Sequence, residues 1–286
     1  MSWAALLLIL VAAALHTGWN FVVKQVADKH VFTWWALVVG ALLYSPLLAQ
    51  GLPIPATIWP YAIASALVEA AYFIALLHAY DRGDFSLVYP IARGAAPAFL
   101  AVWGTLFLGE PPEPIGLGGL VVLFIGLMVV GSGSWWAQRR IAKLSASGIG
   151  AAIAVALCIS IYSAIDGAAV RLMAPVPYTE LVFALTAVLV SPAVLARYGY
   201  HTAVAVWRAH WKAIIAVGLL MLLTYMLVLQ AYTVARVSYV GGIREVSIVF
   251  AALAGWLWLK EGFGVVRTIG AALIFGGILL IAVAGE

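Results

Sequence analysis

Arg93-Gly94-Ala95-Ala96-Pro97-Ala98-Phe99-Leu100-Ala101-Val102-Trp103-Gly104-Thr105-Leu106-Phe107-Leu108-Gly109-Glu110 has a second copy further along the chain, Arg244-Glu245-Val246-Ser247-Ile248-Val249-Phe250-Ala251-Ala252-Leu253-Ala254-Gly255-Trp256-Leu257-Trp258-Leu259-Lys260-Glu261. A shift of 151 lays Arg93 on Arg244, Phe99 on Phe250, Gly104 on Gly255 and Glu110 on Glu261. The same shift continues past the segment and lays Gly119 on Gly270 and Gly126 on Gly277. Each copy is an apolar helix that opens on an arginine and closes on a glutamate.

The duplication reaches outward. At a shift of 152, Ala79-Tyr80 meets Ala231-Tyr232 and Ser86 meets Ser238; at 146, a weaker match lays His16 on Tyr162 and Asn20 on Asp166. Ten apolar spans fit the chain, near 3–23, 31–50, 57–80, 84–109, 113–134, 147–171, 177–198, 208–234, 237–260 and 263–285. Gly51 to Pro55, Asp81 to Asp84, Pro111 to Pro114 and Pro175 to Pro177 separate spans, since proline and glycine end helices. The unit is therefore five helices, repeated. Residues 1–134 form the first repeat, 135–146 a basic linker and 147–286 the second repeat. An odd number of spans makes the second unit enter the membrane from the opposite side. That inverted-repeat plan is typical of transporters that alternate access about a midplane site.

Composition agrees. The chain of 286 residues is 66% hydrophobic and 9% charged, against roughly 25% charged in soluble domains. These values imply an all-α integral membrane protein. The net charge of +4 comes from short basic loops rather than from a nucleic-acid-binding face. Loops after odd-numbered spans hold ten Lys or Arg, and loops after even-numbered spans hold two, Arg171 and Arg236. The bias predicts both termini outside the cytoplasm. The first apolar run lacks a basic leader and is expected to be retained as a helix. Cys158, the single cysteine, has no internal disulfide partner. No catalytic or phosphate-binding fingerprint is present, and Cys and His are too sparse for a metal site. Neither an enzyme, nor a cofactor, nor a metal is expected.

Charge inside a bilayer costs at least ~2.5–3.5 kcal/mol at the centre, so each buried ionisable group needs a partner or a wet cavity. On the first span His16, Asn20 and Lys24 make a polar stripe bordered by Trp19. On the sixth, Tyr162 and Asp166 occupy the equivalent face. Ala152, Ala156, Ser160 and Ala164 line the opposite face at a spacing that lets helices approach closely. The third span carries Glu69, Tyr72 and His78, and the eighth carries Tyr225. Glu69 reads either as a proton-coupling or ammonium-binding carboxylate, or as a neutral hydrogen-bonded group between helices. The fourth span holds Tyr89, Arg93 and Trp103, and the ninth holds Tyr239, Arg244, Glu245 and Ser247. Val88-Tyr89-Pro90 and Gly241-Gly242 each weaken the helix just before its arginine. Backbone freed there is tolerated where it lines a cavity. The alternative for the arginines is internal pairing, as between Arg244 and Glu245 or Glu69. Glu110 and Glu261 are expected to be ties at the membrane edge. Trp103 and Trp256 could wall a pocket for a flat side chain or simply fill core.

The chain resembles the drug/metabolite transporter superfamily, with two repeats of the EamA type. The resemblance covers the whole chain and is carried by Leu108-Gly109-Glu110 and its counterpart Leu259-Lys260-Glu261, by the Gly-bearing helices after them, by Val88-Tyr89-Pro90, and by the spacing of Trp19-Asn20 and Lys24. As a whole sequence it is most similar to bacterial inner-membrane exporters of aromatic and other neutral amino acids, of the YddG type. This implies a secondary transporter, functional as a monomer, that moves a small amino acid through a cavity walled by both repeats. Other members carry drugs or other metabolites. A non-transporting sensor would instead have Arg93 and Arg244 tightly paired in a dry core.

Overall fold

A computed structural model describes the backbone of residues 2–82, 85–138, 146–250, 253 and 265–284. It describes the side chains of these except 74, 76–92, 131–149, 265 and 267. Helices are α1 Trp3–Lys24, α2 Lys29–Leu48, α3 Trp59–Arg82, α4 Phe85–Leu108, α5 Pro114–Gln138, α6 Ala146–Ala169, α7 Pro175–Tyr232, α8 Val237–Arg244 and α9 Val265–Ala284. Among the described residues there is no strand.

Local chemistry sets the helix ends. Ser2 accepts the Ala5 N–H at 3.2 Å and caps α1. α4 stops at Gly109, whose φ of 67° lies in the left-handed region that favours glycine. The Glu110 N–H then turns back to the Gly104 carbonyl at 2.9 Å. That turn is the physical content of Leu108-Gly109-Glu110. Its counterpart at Lys260 lies outside the described residues.

α7 spans 58 residues. Straight, it would be about 87 Å long, far beyond a ~30 Å hydrocarbon core. Two residues break it, Gly199 at φ 79° and ψ 156°, and His210 at φ −132° and ψ 15°. The expected spans 177–198 and 208–234 thus lie on either side of a short bridging segment. Trp35 of α2 donates to the Ala203 carbonyl in that segment at 2.8 Å, and its ring lies 5.2 Å from that of Trp207. Lys212 sits over the Trp211 ring at 5.5 Å, a pairing suited to a membrane–water boundary.

The exterior is apolar and the interior holds the charges. Phe107 is 74% exposed and Val188 is 70% exposed, while Asp166 is fully buried. That inverts the pattern of a water-soluble protein. Among the described residues, Trp3–Lys24, Lys29–Gly51, Gly150–Ala169 and Pro175–Tyr232 are long and apolar enough to cross a membrane. The ninth expected span is described only through 250 and at 253.

Packing runs mainly between the two halves. α2 and α1 lie on α7, α3 and α4 lie on α6, and α5 lies on α9. On the α2–α7 seam, a Cβ on Gly40 would stand 2.8 Å from the Gly218 carbonyl oxygen, so only glycine fits. On the α5–α9 seam, a Cβ on Gly119 would stand 2.8 Å from the Gly277 carbonyl oxygen, and one on Gly126 would stand 2.9 Å from that of Gly270. Rising numbers on α5 meet falling numbers on α9, so the two helices are antiparallel. Gly119 and Gly270 are repeat equivalents, as are Gly126 and Gly277. Exchanging the repeats therefore turns one contact into the other. The pair of helices behaves like an isologous interface with its own two-fold axis.

Candidate functional site

The ninth span is interrupted where the charges lie. α8 ends at Arg244, Glu245 forms a one-residue turn that keeps right-handed φ and ψ of −68° and −8°, and helical backbone resumes over 246–250. The N–H of Glu245 bonds the Gly242 carbonyl and the N–H of Ile248 bonds that of Glu245, each at 3.0 Å. These short i to i+3 links carry the chain through the turn. Thr17 of α1 donates to the Ser247 carbonyl at 3.0 Å and so ties the break to the first repeat.

The glycines expected to weaken this helix do something else. Gly241 and Gly242 lie within α8. A Cβ on Gly241 would meet Leu100 of α4 at 2.7 Å, and one on Gly242 would meet Leu120 of α5 at 2.9 Å. They allow close approach, and the interruption falls one residue after the arginine rather than before it. In the first repeat α4 runs unbroken through Pro90. That proline stands within two turns of the start of the helix, where its missing N–H deprives a single early carbonyl.

Arg93 and Glu245 form a buried ion pair across the repeats, Nε to Oε2 at 2.9 Å. Arg93 Nη2 also reaches the Ser247 hydroxyl at 3.5 Å. Arg244 is as deeply buried as Arg93, but its Nε has no hydrogen-bond partner. The internal pair drawn from sequence thus forms with the other arginine. Tyr232, Tyr162, Arg93 and Glu245 are the electrostatic neighbours of Arg244. His16 feels both arginines, and the Trp19 ring stands edge-on to it at 4.8 Å. The Trp19 indole N–H is buried without a partner. Asn20 turns its amide back to the His16 carbonyl at 2.7 Å, so that donor is used within α1.

Two carboxylates face this cationic side. Glu69 of α3 accepts from the Thr186 hydroxyl at 3.0 Å. Asp166 of α6 accepts from the hydroxyls of Tyr178, at 2.7 Å, and Tyr225. Glu69 and Asp166 are close enough to repel. The hydroxyls of Thr186, Tyr178 and Tyr225 that bond these carboxylates carry no charge. Between the two charge groups lies a chain of rings. Tyr72 is 6.2 Å from Tyr162, Tyr162 is 6.3 Å from Tyr225, and Tyr225 is 5.4 Å from Phe183.

The structure therefore brings together His16, Trp19, Glu69, Tyr72, Arg93, Tyr162, Asp166, Tyr225, Arg244, Glu245 and Ser247. Trp103 lies elsewhere, at the α4–α6 seam, where its indole donates to Ser160 at 3.0 Å. Tyr239 also lies away from the charges. Its hydroxyl accepts from the Glu113 N–H at 3.0 Å and from Arg236 at 3.1 Å, near the end of the bundle. The side chains of His78 and Tyr89, together with Trp256 and Glu261, lie outside the described residues. Sequence reasoning missed Tyr178, Thr186, Thr17 and Tyr232. Tyr178 follows a proline pair that marks only a turn, and nothing in its own neighbourhood announces a bond to Asp166. The signal at Tyr232 was its match to Tyr80 under the repeat shift. Among the described residues no cluster of three or more His, Cys, Asp or Glu could hold a metal ion.

Known proteins bear on this arrangement. The chain is 27% identical over 221 residues to the pseudopaline exporter CntI of Pseudomonas aeruginosa, in two strains, covering 77% of this chain and 70% of that protein. A protein known from a crystal structure superposes with a TM-score of 0.75 over 98% of both chains at 19% identity, which shows a shared fold. The model of the EamA-like transporter family matches residues 3–132 and 146–283, one match to each half. The chain belongs to the EamA-like transporter family, whose members are membrane transporters rather than enzymes.

Proposed function

We propose that this protein is a secondary transporter of the bacterial inner membrane that exports neutral amino acids with bulky or aromatic side chains. The observation that carries the reading is Arg244, a buried guanidinium with an unpartnered Nε, set across a row of tyrosines from Glu69 and Asp166. A zwitterion matches that layout. Its carboxylate would complete Arg244, its ammonium would sit toward the carboxylate pair, and its side chain would lie among Tyr72, Tyr162 and Tyr225. A buried donor left without an acceptor is costly, so a ligand that supplies one gains affinity from it. Movement of the two repeats about this midplane site would expose it alternately to the two faces. The open valence of Arg244 also speaks against a non-transporting sensor with a fully paired core. The active unit is a monomer, since both repeats line the site within one chain.

The relative named as a pseudopaline exporter supports the exporter direction and gives a second reading, in which the cargo is a pseudopaline-type compound. Flux of labelled tryptophan, threonine and methionine into proteoliposomes separates the two. Uptake above empty vesicles for at least one supports the amino-acid reading. No flux for all three, with pseudopaline carried, would sink it.

A further inference from the structure

At the face where α4 and α6 end and α8 begins, a cleft of about 550 Å3 is lined by Glu110, Glu113, Arg171, Arg236, Tyr232 and Tyr239, among others. Two ion pairs cross it. Arg171 bonds Glu110, and Arg236 bonds Glu113 at 3.0 Å. Both glutamates come from the first repeat and both arginines from the second, so every charge pair here joins the halves. Arg171 also donates to the Leu108 carbonyl at 3.2 Å. The other oxygen of Glu110 takes the Val237 N–H at 2.8 Å, at the first turn of α8, where a carboxylate is favoured by the helix dipole. Partial burial works against the charge on Arg236. The Tyr239 hydroxyl and the Glu113 carboxylate more than offset it, so its pKa lies above the usual arginine value.

Two features connect this cleft to the central site. Tyr232 lines the cleft and is also an electrostatic neighbour of Arg244. It is buried, and the Ser163 hydroxyl lies beside its own. The second link is α8 itself. Glu110 holds its first residue, and Arg244 is its last. Eight helical residues make a stiff rod about 12 Å long. Displacing one end moves the other.

We propose that the Glu110–Arg171 and Glu113–Arg236 pairs are the closed gate of the transport path on this face, with Tyr232 as the plug between the gate and the Arg244 site and α8 as the rod that joins them. The proposal rests on the transport reading above. Breaking the pairs frees α8, tilts Arg244 and withdraws Tyr232, which opens the path.

Thiol accessibility tests it. In a Cys158→Ser background, Ser163→Cys places a reporter behind the plug. It is labelled with a membrane-impermeant maleimide added to sealed proteoliposomes, with orientation sorted by protease protection of a terminal tag. With the native gate labelling is slow. In Glu110→Gln with Glu113→Gln it rises by about fivefold or more, as expected when pairs worth little each are lost together. Exchanging the charges, Glu110→Arg with Arg171→Glu, slows it again relative to Glu110→Arg alone. Labelling that stays within about twofold of the parent in the double Gln variant, or an exchanged pair as fast as the single change, overturns the gate. Should the double Gln variant aggregate on gel filtration, Glu110→Cys with Arg171→Cys joined by a short bis-maleimide replaces it. The bridged protein is expected to be protected and to carry nothing, and full flux through the bridged form overturns the proposal. Labelling requires no cargo, so a failure of all three amino acids to be carried counts against the substrate and leaves the gate readable.

Discussion

Arg93 donates to Glu245 at 2.9 Å, and Arg244, its repeat equivalent, has no such partner for its Nε. The two positions should therefore respond oppositely to substitution. Glu245→Gln removes the carboxylate paired with Arg93, and breaking a buried pair of this kind costs ~3–5 kcal/mol. A fall of that size in denaturant stability in detergent, with Arg93→Gln plus Glu245→Gln losing less than the sum of the single changes, is expected. Arg244→Gln removes a cation with an unmet donor, so stability should change by no more than ~1 kcal/mol, while flux falls about tenfold or more for want of a charged hydrogen bond to the cargo. Equal losses of stability at both arginines would refute the distinction. The sequence makes these charges visible, because ionisable groups stand out in apolar runs. It does not reveal who pairs with whom. Arg244 and Glu245 are chain neighbours, and successive side chains on a helix point about 100° apart, so they face different surroundings. Glu110 shows the same limit, since the arginine that binds it lies 61 residues away.

At the scale of the element, helix type and approximate ends were legible from apolar runs and proline clusters, while breaks inside helices were not. Val88-Tyr89-Pro90 looked disruptive and is continuous helix. Glu245, with no breaker at its own position, forms a one-residue turn with right-handed backbone angles. The difference lies in tertiary ties. Thr17 and Arg93 hold the segment around Glu245 from other helices, whereas a proline near a helix start costs little. Gly199 is the clearer breaker. Its φ of 79° with ψ of 156° suits glycine almost alone, and nothing lies within 4 Å of where a Cβ would be. Gly199→Ala should therefore cost ~1–3 kcal/mol purely through backbone strain. Thermal unfolding followed by tryptophan fluorescence would measure it. An unchanged midpoint would mean that the bridge between the two parts of α7 tolerates another conformation.

For the whole molecule, the duplicated segment implies two repeated halves, and the family match falls once on each of them. What sequence could not supply is that the matching glycines meet one another. Equivalence along a chain says nothing of distance across it. A Cβ on Gly277 would lie 2.7 Å from both the Gly119 carbonyl oxygen and the Leu123 amide nitrogen. Backbone atoms cannot rotate away as a side-chain tip can, so Gly277→Ala should cost ~1–3 kcal/mol by forcing α5 and α9 apart. Gly276→Ala, with open space at the same spot on the next residue, is the matched control and should be near neutral. The comparison is read as the difference in unfolding midpoint between the two variants.

That seam has a consequence for ancestry. An interface that maps onto itself needs only one surface, displayed twice. Two separate five-helix chains of a single sequence, inserted in opposite orientations, could make the Gly119–Gly277 and Gly126–Gly270 contacts with no new residue. Fusion of such a pair frees each copy to change alone. Arg93, paired with Glu245 across the repeats, and Arg244, whose Nε has no hydrogen-bond partner, show that divergence at one pair of equivalent positions.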